Sequence, residues 1–264
     1  MVPIAPQVAR PADVLRAVAG FRPAAEAVEL RALAGGARTL NDVTTSLRPH
    51  VVVNRPIHDA IQALEDGGRF RTAFDIPDGA ENAWRDPAYI AERRRYEQEL
   101  GMHGEGEDAG RTVYGSLHLG DGGAAGLAGA PASIYGAVAF ELRPEVLARS
   151  TFTSFDSLHH VYDHSAVGGV EQLGEIIAPF VRLGDVPAKG LHQALAGALR
   201  RSNLTRWEYI EAQVRGAGVE DAARIVIEPR TRQSRADDVA QWKSLRRVVE
   251  LAGERGIPVE RRAR

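Results

Sequence analysis

The segment Tyr209–Val214 carries two polar side chains that could act together on one ligand. On a β-strand, side chains alternate between the two faces, so Glu211 and Gln213 would share one face. A carboxylate two residues from an amide can stabilise a developing positive charge while the amide orients the same ligand. An edge strand with a solvated polar face is the alternative, and the pattern is compatible with both interpretations.

Two further segments supply other groups that a ligand would need. The run Arg69–Ile76 alternates apolar and polar residues, which is typical of a strand with one buried side. Arg71 lies opposite the apolar positions, so its guanidinium could face a cleft or bulk solvent. Tyr114, Gly115 and Ser116 place an aromatic ring beside a glycine, where a ligand can approach the backbone closely. Packing in the core explains the tyrosine equally well.

A segment rich in His and Asp, at residues 156–169, indicates a different chemistry. His160 and His164 stand four residues apart, a spacing that suits a divalent cation when both lie on a helix. With His159 and a nearby carboxylate, they make a metal-dependent hydrolase the second candidate function. The loop-like composition favours the simpler interpretation, which is three histidines in a polar surface loop.

The composition excludes several other classes of site. The chain has no cysteine among its 264 residues, which excludes disulfides, thiolate metal sites and cysteine nucleophiles. Its formal net charge of −2 argues against a dedicated nucleic-acid-binding protein, which normally presents a strongly basic face. The motifs Gly-x-Gly-x-x-Gly, Gly-Lys-Ser/Thr, Gly-x-Ser-x-Gly and His-Glu-x-x-His do not occur, so the folds and activities that they mark are not indicated.

The pattern of apolar residues predicts a cytoplasmic protein without a membrane segment. The N-terminus has no basic start followed by an apolar run. No stretch approaches the roughly 18 consecutive apolar residues of a membrane span. Export by a dedicated machine without a cleavable signal would leave no such trace.

The elements that must position these residues are strands scattered among helices of unequal length. Strands are predicted at 50–54, 69–76, 112–119, 134–142, 150–155, 208–215, 223–228 and 257–260, and helices near 57–64, 88–100, 170–181, 190–201 and 237–252. The helix at 88–100 is rich in Arg and Glu and is predicted to be solvated. This mixture predicts an α+β fold with one main domain at residues 48–264.

Residues 1–47 are predicted to form an N-terminal helical extension. Asp13 can cap a run in which Val14, Leu15, Val18 and Phe21 follow helical spacing. The apolar face of this extension could pack against the main domain or against another protein. A partner-binding module without enzymatic activity is therefore a third candidate function.

The order of these segments resembles the DUF3626 family of bacterial proteins. The matching pieces are Leu64–Phe74, Val113–Leu117, Phe140–Leu147 followed by Thr151-Phe152, Phe155–Ser157 and Tyr209–Gly216. The last piece also resembles the Glu-bearing strand of mono-ADP-ribosyltransferase-like proteins. There, too, a polar strand is followed by Gly, a short acidic segment and an apolar strand, here Ala223–Ile227. In many of those enzymes the catalytic Glu takes the second polar position of the strand, whereas this chain has Glu first.

The resemblance implies an ADP-ribosyltransferase-like split sheet with helices, NAD as the substrate, and an acceptor that it does not identify. It implies that Glu211 stabilises the ribosyl oxocarbenium ion and that Gln213 orients the ribose or the acceptor. The residues that it implies for binding NAD are Arg71, Thr72, Tyr114, Gly115 and Ser116. These supply what the reaction needs, namely a carboxylate near the ribose, an arginine for the diphosphate and an aromatic surface for nicotinamide.

Overall fold

The computed structural model of the chain describes residues 48–72, 75, 90–91, 93–95, 97, 112–119, 136–153, 167–177, 210–227 and 235–261. The predicted helical extension at 1–47, the helix predicted at 190–201 and the histidines at 159, 160 and 164 lie outside these residues.

The described residues form an α+β fold around one sheet, which confirms the predicted fold class. The strands are β1 (Pro49–Arg55), β2 (Thr112–Leu119), β3 (Val138–Leu142), β4 (Ser150–Thr153), β5 (Val167–Gly168), β6 (Glu211–Arg215), β7 (Ala222–Ile227) and β8 (Val259–Arg261). The α-helices are α1 (Ile57–Glu65), α2 (Leu173–Ile177) and α3 (Arg235–Glu254), and 3₁₀ turns cover Pro144–Arg149, Val170–Gln172 and Val219–Asp221.

The order of the strands across the sheet is β5-β4-β6-β2-β1-β3-β7-β8. All neighbours pair antiparallel except β7 and β8, which α3 connects as a parallel pair. The described strands therefore form one continuous sheet, and the ADP-ribosyltransferase-like split sheet that the resemblance implied stays a prediction. The sheet is continuous because β6 hydrogen-bonds to β2 along its whole length and to β4 on its other edge, so no gap divides the strands.

Helix α1 shows how local sequence signals produce the helical layer. Pro56 precedes the helix and Asp59 lies in its first turn, where a negative charge interacts favourably with the helix N-terminus. Ala60, Ala63 and Leu64 recur at helical spacing and are buried, which gives α1 one apolar face. That face packs against the sheet and α3, because the apolar residues of both helices belong to one cluster with the strands.

One face of the sheet is the hydrophobic core. Alternate residues of the central strands project to this face, such as Val51 and Val53 on β1 and Phe140 on β3, and all are buried. Phe70 fills the space between the sheet and the helices, with its ring centroid 4.8 Å from that of Phe140 in an edge-to-face arrangement. Because these alternate residues are buried in the core, the residues between them on each strand project from the opposite face of the sheet.

The opposite face of the sheet is polar and also buried. Its buried polar residues are Asn54, Thr112, Ser116, Glu141, Thr153, Glu211 and Gln213. A small apolar cluster of Val52, Ala139 and Val226 lies among them. We call this side of the sheet the polar face. Buried polar groups need hydrogen bonds or ionic partners, so its contacts are more informative than those of the core.

The strand predicted at 69–76 is not formed by its described residues. Arg69 makes one isolated bridge to Gly218, and the residues after it make no strand pairing in the described part of the chain. Gly67 and Gly68 have φ of 88° and 103°, a left-handed conformation that turns the chain after α1. The alternation of the sequence instead reflects burial of Phe70 and Thr72 in an irregular segment.

None of the helices that the structure describes is long and apolar enough to cross a membrane.

The contact between Phe70 and Phe140 predicts the cost of emptying the core. We expect Phe70→Ala to lower the free energy of unfolding by about 3–5 kcal/mol, because it removes a fully buried ring and leaves a cavity. Urea unfolding followed by circular dichroism measures this change. Trp242→Ala is the control, since Trp242 is 55% exposed and its loss should change stability by less than about 0.5 kcal/mol. A loss below about 1 kcal/mol for Phe70→Ala would contradict the packing described.

Candidate active site

Glu211 and Gln213 lie on an interior strand of the sheet. Strand β6 runs between β4 and β2, and both side chains project from the polar face. Glu211 is 1% exposed and Gln213 is 2% exposed. The alternative of an edge strand with a solvated polar face is therefore wrong. The predicted sharing of one face by these two residues is confirmed by their register, in which Glu211 pairs with Ser116 and Gln213 with Tyr114.

The amide of Gln213 is held in one orientation by its neighbours. Its Nε2 donates a hydrogen bond of 2.8 Å to Oε1 of Glu211 and one of 3.1 Å to Oγ1 of Thr153 on β4. Because the Glu211 carboxylate can only accept when ionised, the nitrogen of Gln213 must face it. The two strands thus fix both the carboxylate and the amide in place.

Arg93 contacts this pair from a segment that lies far away in the sequence. Its Nη1 lies 3.8 Å from Oε1 of Glu211, and both side chains are almost fully buried. The same guanidinium stacks over the ring of Tyr114, with Cζ 3.9 Å from the ring centroid. A planar cation therefore lies between an aromatic face and a buried carboxylate.

The sequence analysis missed Arg93 because it treated the helix at 88–100 as solvated. The described residues of that segment are helical, and Arg94 and Arg95 are exposed as expected. Arg93 and Glu97 are only 5% and 3% exposed, so the prediction of a solvated helix is wrong for this pair. Their spacing of four residues puts both on one helical face, which was the available signal.

Tyr114 connects the sheet to this helical segment. Its hydroxyl donates a 2.7 Å hydrogen bond to Oε1 of Glu97. Burial raises the pKa of Tyr114 well above 10, and the carboxylates of Glu97 and Glu211 raise it further, while Arg93 acts in the opposite direction. Tyr114 therefore remains a neutral hydrogen-bond donor over the physiological pH range.

A second group of charged residues lies on the same polar face, toward β7 and β8. Glu141 on β3 accepts a hydrogen bond from Nε of Arg224, which also contacts Glu260. Nε2 of His50 lies 3.9 Å from Oε2 of Glu141, and the ring of His50 is 5.7 Å from that of His118. Glu141 is thus a second buried carboxylate with an arginine partner, and it pairs across strands with Val52 rather than with Tyr114.

The remaining predicted site residues lie elsewhere in the fold. Nη2 of Arg71 is 3.9 Å from Oδ2 of Asp66, beyond the Phe70 side of the sheet, and its side chain is 43% exposed. Thr72 donates hydrogen bonds from its backbone N and its Oγ1 to Oδ2 of Asp75. The structure therefore brings Glu211, Gln213, Tyr114 and Ser116 together on neighbouring strands, whereas Arg71 contacts Asp66 and Thr72 contacts Asp75.

Gly115 projects toward the apolar face, away from its neighbours Tyr114 and Ser116. A Cβ at this position would lie 2.6 Å from the carbonyl oxygen of Val52 and 3.0 Å from Cγ1 of Val51. The glycine thus permits close approach of strands β1 and β2. The structure does not bring it into the polar cluster.

Tyr209 and the histidines His159, His160 and His164 are not among the described residues. Within the part of the chain that the structure describes, no group of His, Asp and Glu has an arrangement that could hold a metal ion. The metal-dependent hydrolase and the partner-binding module therefore stay predictions.

A scan of the chain against protein-family models and a search of curated proteins both find no match. The resemblance to the DUF3626 family and to ADP-ribosyltransferases accordingly stays a prediction.

The environment of Tyr114 predicts how stability depends on pH. At pH 7 we expect Tyr114→Phe to lower the free energy of unfolding by about 1–3 kcal/mol, because buried Glu97 loses a donor. The folded-state pKa is raised, so the unfolded chain ionises first as the pH rises above 10. The free energy of unfolding of the wild type then falls while that of Tyr114→Phe is not affected by this group. The difference in free energy of unfolding between the two proteins therefore becomes smaller.

Urea unfolding of both proteins at pH 7, 9, 10 and 11 measures this difference. The other five of the six tyrosines are common to the two proteins, so their titration cancels. A difference that stays constant or widens above pH 10 would contradict the assignment.

Proposed function

We propose that this protein uses NAD as a substrate and transfers its ADP-ribose to an acceptor or to water, with Glu211 stabilising the ribosyl oxocarbenium ion. One observation carries the proposal. The guanidinium of Arg93, a planar cation, lies against both the ring of Tyr114 and the carboxylate of Glu211. The pyridinium ring of NAD and the ribosyl oxocarbenium ion are also planar cations. The ring of Tyr114 and the carboxylate of Glu211 could therefore bind them in the same way.

The chemistry follows from where the charge moves. The bond between ribose C1′ and the nicotinamide nitrogen breaks, and its electron pair leaves with nicotinamide. Positive charge passes from the pyridinium ring to the ribose until a nucleophile adds at C1′ and releases its proton. A buried carboxylate stabilises this charge far more than a solvated one, because little water screens it. Glu211, at 1% exposure, meets that condition.

The neighbours of Glu211 suit this role. The hydrogen bond from Gln213 fixes the carboxylate without adding a positive charge that would cancel it. Tyr114 offers a flat surface on which a pyridinium ring can stack. In this proposal Gln213 orients the ribose, and the ADP-ribosyltransferase-like class of the fold, the acceptor and the phosphate-binding role of Arg71 belong to the same hypothesis.

Arg93 must leave before a substrate can take its position. Its guanidinium already occupies the face of Tyr114 and faces Glu211. Glu97 lies one helical turn further and accepts the hydrogen bond of Tyr114. We therefore propose that Arg93 and Glu97 move away from the sheet when NAD binds, and that the interactions of Arg93 compete with the substrate.

The first experiment follows nicotinamide release from NAD by the wild type and by Glu211→Gln. The substitution keeps the shape of the side chain and its hydrogen bond from Gln213 but removes the charge. We expect the rate of release to fall by about 10²–10³, the loss typical of removing one group that stabilises transition-state charge.

Glu141→Gln is the matched control, because Glu141 is also a buried carboxylate on the polar face beside an arginine. This variant should retain the wild-type rate if it folds. Absence of nicotinamide release by the folded wild type, or equal rates for Glu211→Gln and the wild type, would contradict the proposal.

The second experiment removes the group that competes with the substrate. We expect Arg93→Ala to raise kcat/KM for NAD about tenfold, since displacing a desolvated cation from an aromatic face costs about 1–2 kcal/mol. Its melting temperature should fall, because buried Glu211 loses a positive neighbour.

Arg95→Ala serves as the control, since Arg95 lies in the same helical segment but is exposed. Arg95→Ala should change neither kcat/KM for NAD nor the melting temperature. A folded Arg93→Ala protein with lower kcat/KM than the wild type would show that Arg93 assists the reaction and does not compete with it.

A further inference from the structure

Apart from Nε2 of His50, which faces Glu141, three buried polar atoms carried by strand residues of the polar face lack a hydrogen-bond partner: Nδ2 of Asn54, Oγ1 of Thr112 and Oε1 of Gln213. Their side chains are 6%, 1% and 2% exposed, respectively. None of them takes part in the ion pairs and hydrogen bonds of Arg93, Glu97 and Tyr114. They are one amide donor, one hydroxyl and one amide acceptor.

The strand register makes the three residues that carry these atoms neighbours of Tyr114 on the polar face. Gln213 on β6 pairs directly with Tyr114 on β2. Continuing the register of β1 and β2 beyond its last pair, Val52 with Ser116, places Asn54 beside Tyr114 on the other side. Thr112 precedes Tyr114 by two residues and projects from the same face. Because strands are about 4.8 Å apart, Asn54 and Gln213 flank the ring from backbones separated by about 10 Å.

The orientation of Gln213 makes its unpaired atom informative. An amide can often be turned to exchange its nitrogen and oxygen, but here Nε2 must face the carboxylate of Glu211. The oxygen is therefore an acceptor whose direction is imposed by the site. Buried polar atoms are nearly always paired in folded proteins, so three of them on neighbours of one tyrosine point to a bound group that pairs them.

We infer that the unpaired atoms recognise the nicotinamide end of NAD, with a primary carboxamide held between Asn54 and Thr112. A carboxamide presents one acceptor oxygen and one donor nitrogen on the same carbon. Nδ2 of Asn54 would donate to its oxygen, and Oγ1 of Thr112 would accept from its nitrogen. Oε1 of Gln213 would accept from a hydroxyl of the attached ribose. The inference rests on the proposed function for the identity of the substrate.

The dimensions and charges of the site agree with this arrangement. A pyridinium ring stacked on Tyr114 would place the ribose toward β6, near Glu211, and the carboxamide toward β1. The span from a ribose hydroxyl to the carboxamide fits within the roughly 10 Å between the two outer strands. Nicotinic acid, which carries a carboxylate in place of the amide, would lack a donor for Thr112 and would be repelled by Glu97 and Glu211.

The test measures binding of nicotinamide alone, by isothermal titration calorimetry and saturation-transfer NMR on the full chain. We expect Asn54→Leu and Thr112→Val each to weaken nicotinamide binding about tenfold, as loss of one hydrogen bond in a buried site does. Nicotinic acid should bind the wild type at least about tenfold more weakly than nicotinamide. Both variants should raise KM for NAD by a similar factor.

Ser150→Ala is the matched control. Ser150 is buried at the start of β4, and its Oγ donates to the carbonyl of Val146 rather than to the site. It should leave nicotinamide affinity unchanged. If Asn54→Leu fails to fold, Thr112→Val removes one hydroxyl at nearly constant volume and tests the same contact.

Each outcome decides one of the two hypotheses. If Asn54→Leu and Thr112→Val lose affinity for nicotinamide, carboxamide recognition is supported. If the wild type then does not cleave NAD, only the proposed function fails. Cleavage of NAD with unchanged KM in both variants overturns carboxamide recognition and leaves the proposed function standing. Carboxamide recognition is also overturned if nicotinamide does not bind, which would mean that water alone pairs these atoms. Equal binding of nicotinic acid and nicotinamide overturns it as well.

Discussion

A carboxylate buried in the middle of a sheet is the constraint on which the polar face depends. Burying the charge of Glu211 costs free energy unless protein groups replace the hydrogen bonds that water would make. Residues of β6 and of the adjacent strand provide some of these hydrogen bonds. Gln213 donates to the carboxylate from the same strand, and Gln213 is itself held by Thr153 of the adjacent strand. Arg93 brings a positive charge to within 3.8 Å of Glu211 from a helical segment outside the sheet. The interior position of β6 is what makes these contacts necessary.

The same contacts give Arg93 two roles in the proposed mechanism. In the free protein it neutralises buried Glu211 and covers Tyr114, and thereby stabilises the fold. A substrate with a planar cation would need both of these partners. In that mechanism the affinity for the substrate is reduced by the free energy of moving Arg93, so stability and access to the site would depend on the same contacts.

The two faces of the sheet are organised by the same alternation but hold together differently. The core face packs aromatic and β-branched residues, as in the contact of Phe70 with Phe140. The polar face instead contains buried carboxylates with arginine partners, Glu211 with Arg93 and Glu141 with Arg224, and the small apolar cluster around Val52. The contact of Glu141 is made between adjacent strands, whereas that of Glu211 depends on a separate segment. The proposed movement of Arg93 would therefore break the contact of Glu211 without breaking strand pairs.

The sequence by itself determined the α+β class, most strand positions and the sharing of one face by Glu211 and Gln213, because side-chain alternation and helix signals are local. Strand β2 coincides with the predicted run at 112–119. Local signals could not decide the order of the strands, so the interior position of β6 and the burial of its polar face were not predictable. They could not distinguish Arg93 from Arg94 and Arg95, since the difference is tertiary contact with Tyr114 and with Glu211, the latter more than a hundred positions away. They also mistook the alternation around Phe70 for a strand, because burial in a loop and in a sheet can produce the same pattern. Only the tertiary structure decided which polar residues meet, since long-range pairing and burial determine those contacts.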